Sequence, residues 1–114
     1  MHSNIYVNNS NGGGSLAAEL LWTNENPSSA FAEQTIELDL SSYKKIIISL
    51  MSSANSTVYT HIEAYKNVYC GTTFYSNIRS CHFTNDSVFI SNCINDSGTQ
   101  KNNMLVPRYI YGLK

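Results

Sequence analysis

Apolar and polar residues alternate along several short stretches of this chain with the two-residue period of a β-strand. In residues 34–40 three apolar side chains alternate with three polar ones, which places one face on a core and the other in water. After a short polar corner, residues 44–51 form a nearly continuous β-branched run, typical of a central strand covered on both sides. Residues 57–65 alternate again. This pattern predicts a β-sheet protein.

Further strands are predicted at residues 69–75, 77–84, 87–94 and 104–113, separated by turns rich in Ser, Asn and Gly. Residues 16–21 could form one helical turn or a first strand, and a strand is favoured because a turn follows directly. Pro107 fits the final strand only if its missing N–H faces a sheet edge or a bulge. About seven or eight short strands and no persuasive helix indicate an all-β fold. The expected architecture is a single antiparallel β-sandwich, jelly-roll-like, formed by residues 16–114.

One predicted hairpin bears on the three cysteines. If an Asn-Asp pair forms its two-residue turn, Cys81 lies opposite Ile90 and Cys93 lies opposite Ile78. Cys81 and Cys93 are then too far apart for a disulfide. Because three cysteines cannot all pair within one chain, we expect Cys70, Cys81 and Cys93 to be free thiols in a reducing compartment.

A second predicted hairpin would gather several aromatic side chains. The run ending at Tyr65 and the run beginning at Tyr69 are joined by three residues, a spacing that places Tyr69 opposite Tyr65 and Tyr75 opposite Tyr59. A two-residue loop would give different faces. In the first register Tyr59, His61, Tyr65, Tyr69 and Tyr75 form one outward patch. Such a patch suits stacking on sugar rings or a subunit interface, or the side chains cover the ends of the core.

Composition narrows the classes of function. The chain has 114 residues, enough for one domain, with a net charge of −1 and 13% charged residues. Nucleic acid is an improbable partner because no basic face is present. No apolar run is long enough to span a membrane, and the start lacks the apolar stretch of a signal peptide. Residues 1–15, which end in a Gly-rich stretch, are interpreted as a flexible lead or linker.

No arrangement of residues indicates catalysis or metal binding. There is no G-x-S-x-G motif, and the spacing of His and Cys residues matches no common metal site. Glu37 and Asp39 lie on one face of a predicted strand, where they are more simply its solvated side than a glycosidase pair. We therefore expect a non-enzymatic protein with no metal and no cofactor.

Two separate stretches carry a resemblance. Residues 19–50 read ELLWTNENPSSAFAEQTIELDLSSYKKIIISL, and residues 106–114 read VPRYIYGLK. Together they resemble the C-terminal domain of tail-fibre and minor tail proteins of bacteriophages and prophages. That family has an L-W-x-N-x-N-P-x-x-x-F-x-x-Q-T-I-x-L-D-L-S-x-Y block and an I-P-x-x-I-Y-G-I-K-like end. Glu25 departs from it, as do residues 104–106, where a cysteine-isoleucine pair is expected.

The resemblance implies a virion component that is assembled in the bacterial cytoplasm. It would be a distal fibre domain, a homotrimer joined to an upstream shaft, which binds or helps select a host-surface receptor. A bacterial surface glycan is the expected ligand, and a surface protein is the alternative. Two other functions stay open: a structural cap of the fibre, and a carbohydrate-binding module of a secreted bacterial protein.

Overall fold

The computed structural model describes residues 5–8 and 15–114, with side chains from Ala18 onward. Within this part of the chain the protein is an all-β sandwich without helices. Its strands are β1 (Ile5–Asn8), β2 (Ser15–Thr23), β3 (Gln34–Glu37), β4 (Lys45–Ser53), β5 (Tyr59–Tyr65), β6 (Tyr69–Phe74), β7 (Asn77–Phe83), β8 (Ser87–Ile90), β9 (Ile94–Asn95) and β10 (Met104–Leu113). The described residues contain no helix that would be long and apolar enough to cross a membrane.

The strands form two antiparallel sheets that pack face to face. Sheet I has the order β1-β2-β10-β4-β5, and sheet II has the order β3-β8-β7-β6, with β9 also paired to β7. The predicted antiparallel β-sandwich is confirmed. Ten strands are present among the described residues where seven or eight were expected. The jelly-roll connectivity stays a prediction.

The core lies between the sheets and is built from the alternating faces of the strands. On β4, Ile46, Ile48 and Leu50 are fully buried. Burying one such side chain contributes roughly 1.5–3 kcal/mol. Ile47, between them, is only half-buried, so the expectation that β4 is covered on both faces is wrong. β4 is indeed central, between β10 and β5, but its outward side chains Lys45, Ile47 and Ser49 are only half-buried.

The two stretches that carry the resemblance meet in the centre of sheet I, while β3, which belongs to the first stretch, lies in sheet II. Ile110 of β10 pairs with Trp22 of β2 on one side and with Ile48 of β4 on the other. The register between β10 and β4 shifts just after Pro107, which confirms the predicted bulge. The side chain of Asn24 donates to the carbonyl of Pro107 at 2.8 Å and ties the end of β2 to this bulge.

The hairpin of β7 and β8 has the predicted register, with Cys81 opposite Ile90. Farther along, Ile94 and not Cys93 lies opposite Ile78, so this part of the prediction was wrong by one residue. The reason is local, because the Cys93 N–H leaves the ladder and donates to the side-chain oxygen of Asn102 at 2.8 Å. All three cysteines are free, as expected; Cys81 and Cys93 are buried and Cys70 is half-buried.

The predicted hairpin between residues 57–65 and 69–75 does not form. Tyr65 of β5 pairs with Lys45 of β4, whereas Tyr69 of β6 pairs with His82 of β7. Residues 66–68 therefore turn a corner from sheet I to sheet II. Asn67 has the positive φ of 66° that this corner requires, a conformation that Asn tolerates better than most residues.

A buried arginine fastens the loops at one end of the sandwich. The guanidinium of Arg79, on β7, is inaccessible to solvent. It donates to the carbonyl oxygens of Phe31 at 3.1 Å, Ser91 at 2.7 Å, Asn102 at 3.4 Å and Met104 at 3.1 Å. Burial lowers the pKa of Arg79 to about 10, so the group remains protonated at neutral pH. It joins three connections that are distant in sequence.

The predicted lead, residues 1–15, contains β1 and the first residue of β2. β1 pairs with the first part of β2, and Asn8 lies opposite Ser15. Residues 1–4 and 9–14, which include most of the expected linker, lie outside the described residues.

Candidate functional site

β5 presents one row of side chains outward, as its alternation predicted. Tyr59, His61, Glu63 and Tyr65 are exposed, while Ile62 and Ala64 point into the core. Because β5 is the edge strand of sheet I, this row lies at the border of the outer face of that sheet.

The outer face brings two further tyrosines toward this row. His61 lies opposite Ser49 of β4, which in turn lies opposite Tyr109 of β10. Tyr111 is two residues along the same strand, and its ring centroid is 6.0 Å from that of Tyr109. Burial raises the pKa of Tyr111, and the neighbouring phenols of Tyr109 and then Tyr59 raise it further.

We call this surface the tyrosine face; it consists of Ile47, Ser49, Tyr59, His61, Tyr109 and Tyr111. A shallow depression of about 300 Å³ lies on it and is lined by Ile47, Ser49, Tyr59, Thr60 and His61. Since its pKa is raised above the ordinary value, the Tyr111 hydroxyl stays protonated at neutral pH. The face thus offers the exposed Tyr59 ring and the half-buried Tyr109 ring beside hydroxyl and imidazole groups that hydrogen-bond in either direction, while Tyr111 is buried.

Tyr65 lies at the other end of the β5 row in a charged network. Its hydroxyl donates to the Glu63 carboxylate at 3.0 Å, and the Lys45 ammonium contacts the same oxygen at 2.6 Å. The hydrogen bonds from Lys45 and Tyr65 hold the pKa of Glu63 below its usual value. Tyr65 is therefore held by its own neighbours at the border of the tyrosine face.

The remaining two predicted site residues lie elsewhere, so the prediction of one five-residue patch was wrong. Tyr69 is on sheet II, where its ring lies 4.7 Å from that of His82. Tyr75 follows β6 with a φ of 55°, and its ring contacts Phe74 at 4.7 Å. The corner at residues 66–68 is the cause, because it carries β6 into the other sheet.

Sequence reasoning missed Tyr109, which is half-buried on this face, and Tyr111, which is buried beside it. Both are in the predicted final strand, and the buried Ile110 between them was the available signal that they share the opposite face. Their proximity to β5 depends on β10 lying next to β4, which no local pattern reveals.

The acidic pair considered at the sequence level is explained by local structure. Glu37 is exposed on β3, and the Asp39 carboxylate accepts hydrogen bonds from the amide and hydroxyl of Ser41. These bonds lower the pKa of Asp39, as expected for a carboxylate that stabilises a turn. Among the residues that the structure describes, no group of three or more His, Cys, Asp or Glu side chains is placed to hold a metal ion.

Comparisons with known protein families, curated proteins and solved structures found no match to this chain.

Proposed function

We propose that the chain is a non-enzymatic distal domain of a bacteriophage tail fibre, which contacts a glycan on the host surface through the tyrosine face. The observation that carries the proposal is the combination of aromatic rings and hydroxyl groups around one shallow depression. Sugars present apolar C–H faces and a rim of hydroxyls, which match rings and hydrogen-bonding tips respectively.

In the fold, the strands that carry the resemblance are separate from the strand that supplies the exposed contact residues. The segments that resemble tail-fibre proteins supply β2, β4 and β10, the centre of sheet I. Tyr59 and His61 come from β5, in the segment that carries no resemblance. A common scaffold with contact residues added at its edge is the arrangement expected of domains that bind different surfaces.

A shallow, open depression favours weak binding at each site. In a homotrimer, three weak sites on one rigid tip act together, because the second and third contacts form at a high effective concentration. Assembly in the bacterial cytoplasm, with transfer to the virion afterwards, is supported by the three free thiols.

A second candidate is that the outer face of sheet I is buried between subunits and the domain only caps the fibre. Leu20, Ile47 and Tyr109 are half-buried on this face, beside the buried Ala18, Tyr111 and Leu113, and subunit interfaces are enriched in apolar and aromatic side chains at their centre. The two candidates differ in whether Tyr59 meets a glycan or a neighbouring copy.

The test compares Tyr59→Ser with Tyr69→Ser as the matched control. Both tyrosines are exposed, at 45% and 72%, but Tyr69 lies on the other sheet. We expect only Tyr59→Ser to weaken binding of the purified domain to an array of bacterial cell-wall polysaccharides. The expected loss is about tenfold in affinity, because losing one stacked ring costs about 1.4 kcal/mol of binding free energy.

Light scattering on a sizing column is measured for both variants. An intact trimer that no longer binds supports the glycan site, whereas loss of the trimer in Tyr59→Ser supports the capping role. A wild-type trimer that binds no polysaccharide on the array contradicts the proposed adhesion.

A further inference from the structure

A groove at one end of the sandwich is separate from the tyrosine face. It has a volume of about 620 Å³ and is lined by the end of β2, the connection from β2 to β3 and the first residue of β3. Six side chains define it, and we call it the Trp22 groove: Trp22, Glu25, Asn26, Ser29, Phe31 and Gln34. Its volume lies within the range of about 300–1,000 Å³ that is usual for small-molecule sites.

Two aromatic rings form the wall of the groove. Trp22 is half-buried and meets Phe31 edge to face, with 6.1 Å between ring centroids. Behind Phe31, the guanidinium carbon of Arg79 lies 5.5 Å from the ring centroid, and the same guanidinium holds the Phe31 carbonyl. The wall is thus fixed from within the core before any ligand binds. Ligand binding therefore loses little conformational entropy in ordering these side chains.

The rim of the groove is polar. Glu25, Asn26, Ser29 and Gln34 are all exposed and offer carboxylate, carboxamide and hydroxyl groups. The turn that carries them is held in place, because the Asn24 side chain accepts from the Asn26 N–H at 2.8 Å. Of the described residues that line the groove, Glu25 alone is charged.

From this geometry we infer that the Trp22 groove binds a neutral saccharide of one or two pyranose units. The apolar face of one sugar ring packs against the exposed part of Trp22, and its hydroxyls bond to the rim. A single carboxylate disfavours anionic sugars by repulsion, and an apolar ligand would leave the rim groups desolvated without partners. This inference does not depend on the proposed function, since the tyrosine face lies on the outer side of sheet I.

The groove contains its own reporter, because Trp22 is the only tryptophan of the chain. The experiment titrates the full chain with maltose, cellobiose, lactose and chitobiose while tryptophan emission is recorded. We expect at least one of these disaccharides to change the emission saturably, with a dissociation constant on the order of 1 mM.

The variant pair is Glu25→Ala with Gln34→Ala, both exposed and outside the core. The matched control is Glu37→Ala with Gln100→Ala, which removes the same two side-chain types at exposed positions away from the groove. We expect about tenfold weaker binding in the groove variant, equivalent to one lost hydrogen-bonding contact, and unchanged binding in the control.

Three results overturn the inference: no saturable emission change with any of the four disaccharides, equal affinity in the groove variant and the wild type, or tighter binding of a galacturonic acid disaccharide. Tyr59→Ser separates this site from the tyrosine face. In the wild type, a saturable Trp22 response without binding to the polysaccharide array refutes the proposed function alone, and binding to the array without a Trp22 response refutes the groove alone.

Discussion

Replacing Arg79 with methionine tests whether the buried guanidinium organises the loop end of the sandwich. Methionine keeps the apolar stem but removes every donor. Three carbonyl oxygens that Arg79 contacts within 3.1 Å, those of Phe31, Ser91 and Met104, then lose a charged hydrogen-bond donor, and the weaker contact to Asn102 at 3.4 Å is lost as well.

The magnitude follows from two opposing effects. Leaving a buried acceptor without its partner costs about 1–3 kcal/mol, so the three close carbonyls together lose several kcal/mol. Removing the buried charge offsets part of this loss, because the guanidinium is no longer desolvated. That desolvation lowers the pKa of Arg79, and the Arg79 Nε has no hydrogen-bond partner. We expect a net loss of about 3 kcal/mol in the free energy of unfolding, a large fraction of the 5–15 kcal/mol of an ordinary domain.

Urea denaturation measures this loss. With a slope of about 1–3 kcal/mol per molar urea, the midpoint of unfolding is expected to fall by roughly 1–2 M. Arg108→Met is the control, because Arg108, the only other arginine, is half-buried on β10, and about 1 kcal/mol or less is expected there. An unfolding free energy of Arg79→Met within about 1 kcal/mol of the wild type would refute the reasoning.

Two further predictions follow from close packing. In Gly112→Ala the new Cβ would lie 2.6 Å from Cδ1 of Tyr43, so we expect a loss of about 1–3 kcal/mol and a lower melting temperature in calorimetry; an unchanged melting temperature would show that the ring moves aside freely. A thiol reagent at pH 8 is expected to modify Cys70 quickly in the folded protein and to reach Cys81 and Cys93 only in urea. Burial raises the pKa of Cys81 to about 12 and also raises that of Cys93, and a second fast-reacting thiol in the folded protein would contradict this.

Local patterns in the sequence were sufficient for most of the strands, though not for β1, and for one hairpin. The alternation around Ile62 predicted which side chains of β5 point outward, and the short turn after β7 predicted the pairing of Cys81 with Ile90. Pro107 was expected at a sheet edge or a bulge, and it lies at a bulge. In each case the deciding interaction lies within a few residues along the chain.

Long-range relations could not be predicted in the same way. A three-residue connection serves equally well as a hairpin loop or as a corner between sheets, and the choice at residues 66–68 depends on where β4 and β7 already lie. Predicting the tyrosine face would have required knowing that β10 lies next to β4. Predicting the burial of Arg79 would have required knowing that three loops converge on it. An arginine in a strand is otherwise expected at the surface.

The position of β10 has a consequence for how the protein folds. β10 lies between β2 and β4, so Tyr109 pairs with both Thr23 and Ser49, although it follows them far along the chain. The chain loses conformational entropy in closing these long loops before the stabilising strand pairing forms, and this slows folding. Because the N-terminal strands leave the ribosome first, the edges of β2 and β4 that pair with β10 stay unpaired until β10 is synthesised. The rate at which β10 inserts therefore sets how long the nascent sheet is open to aggregation.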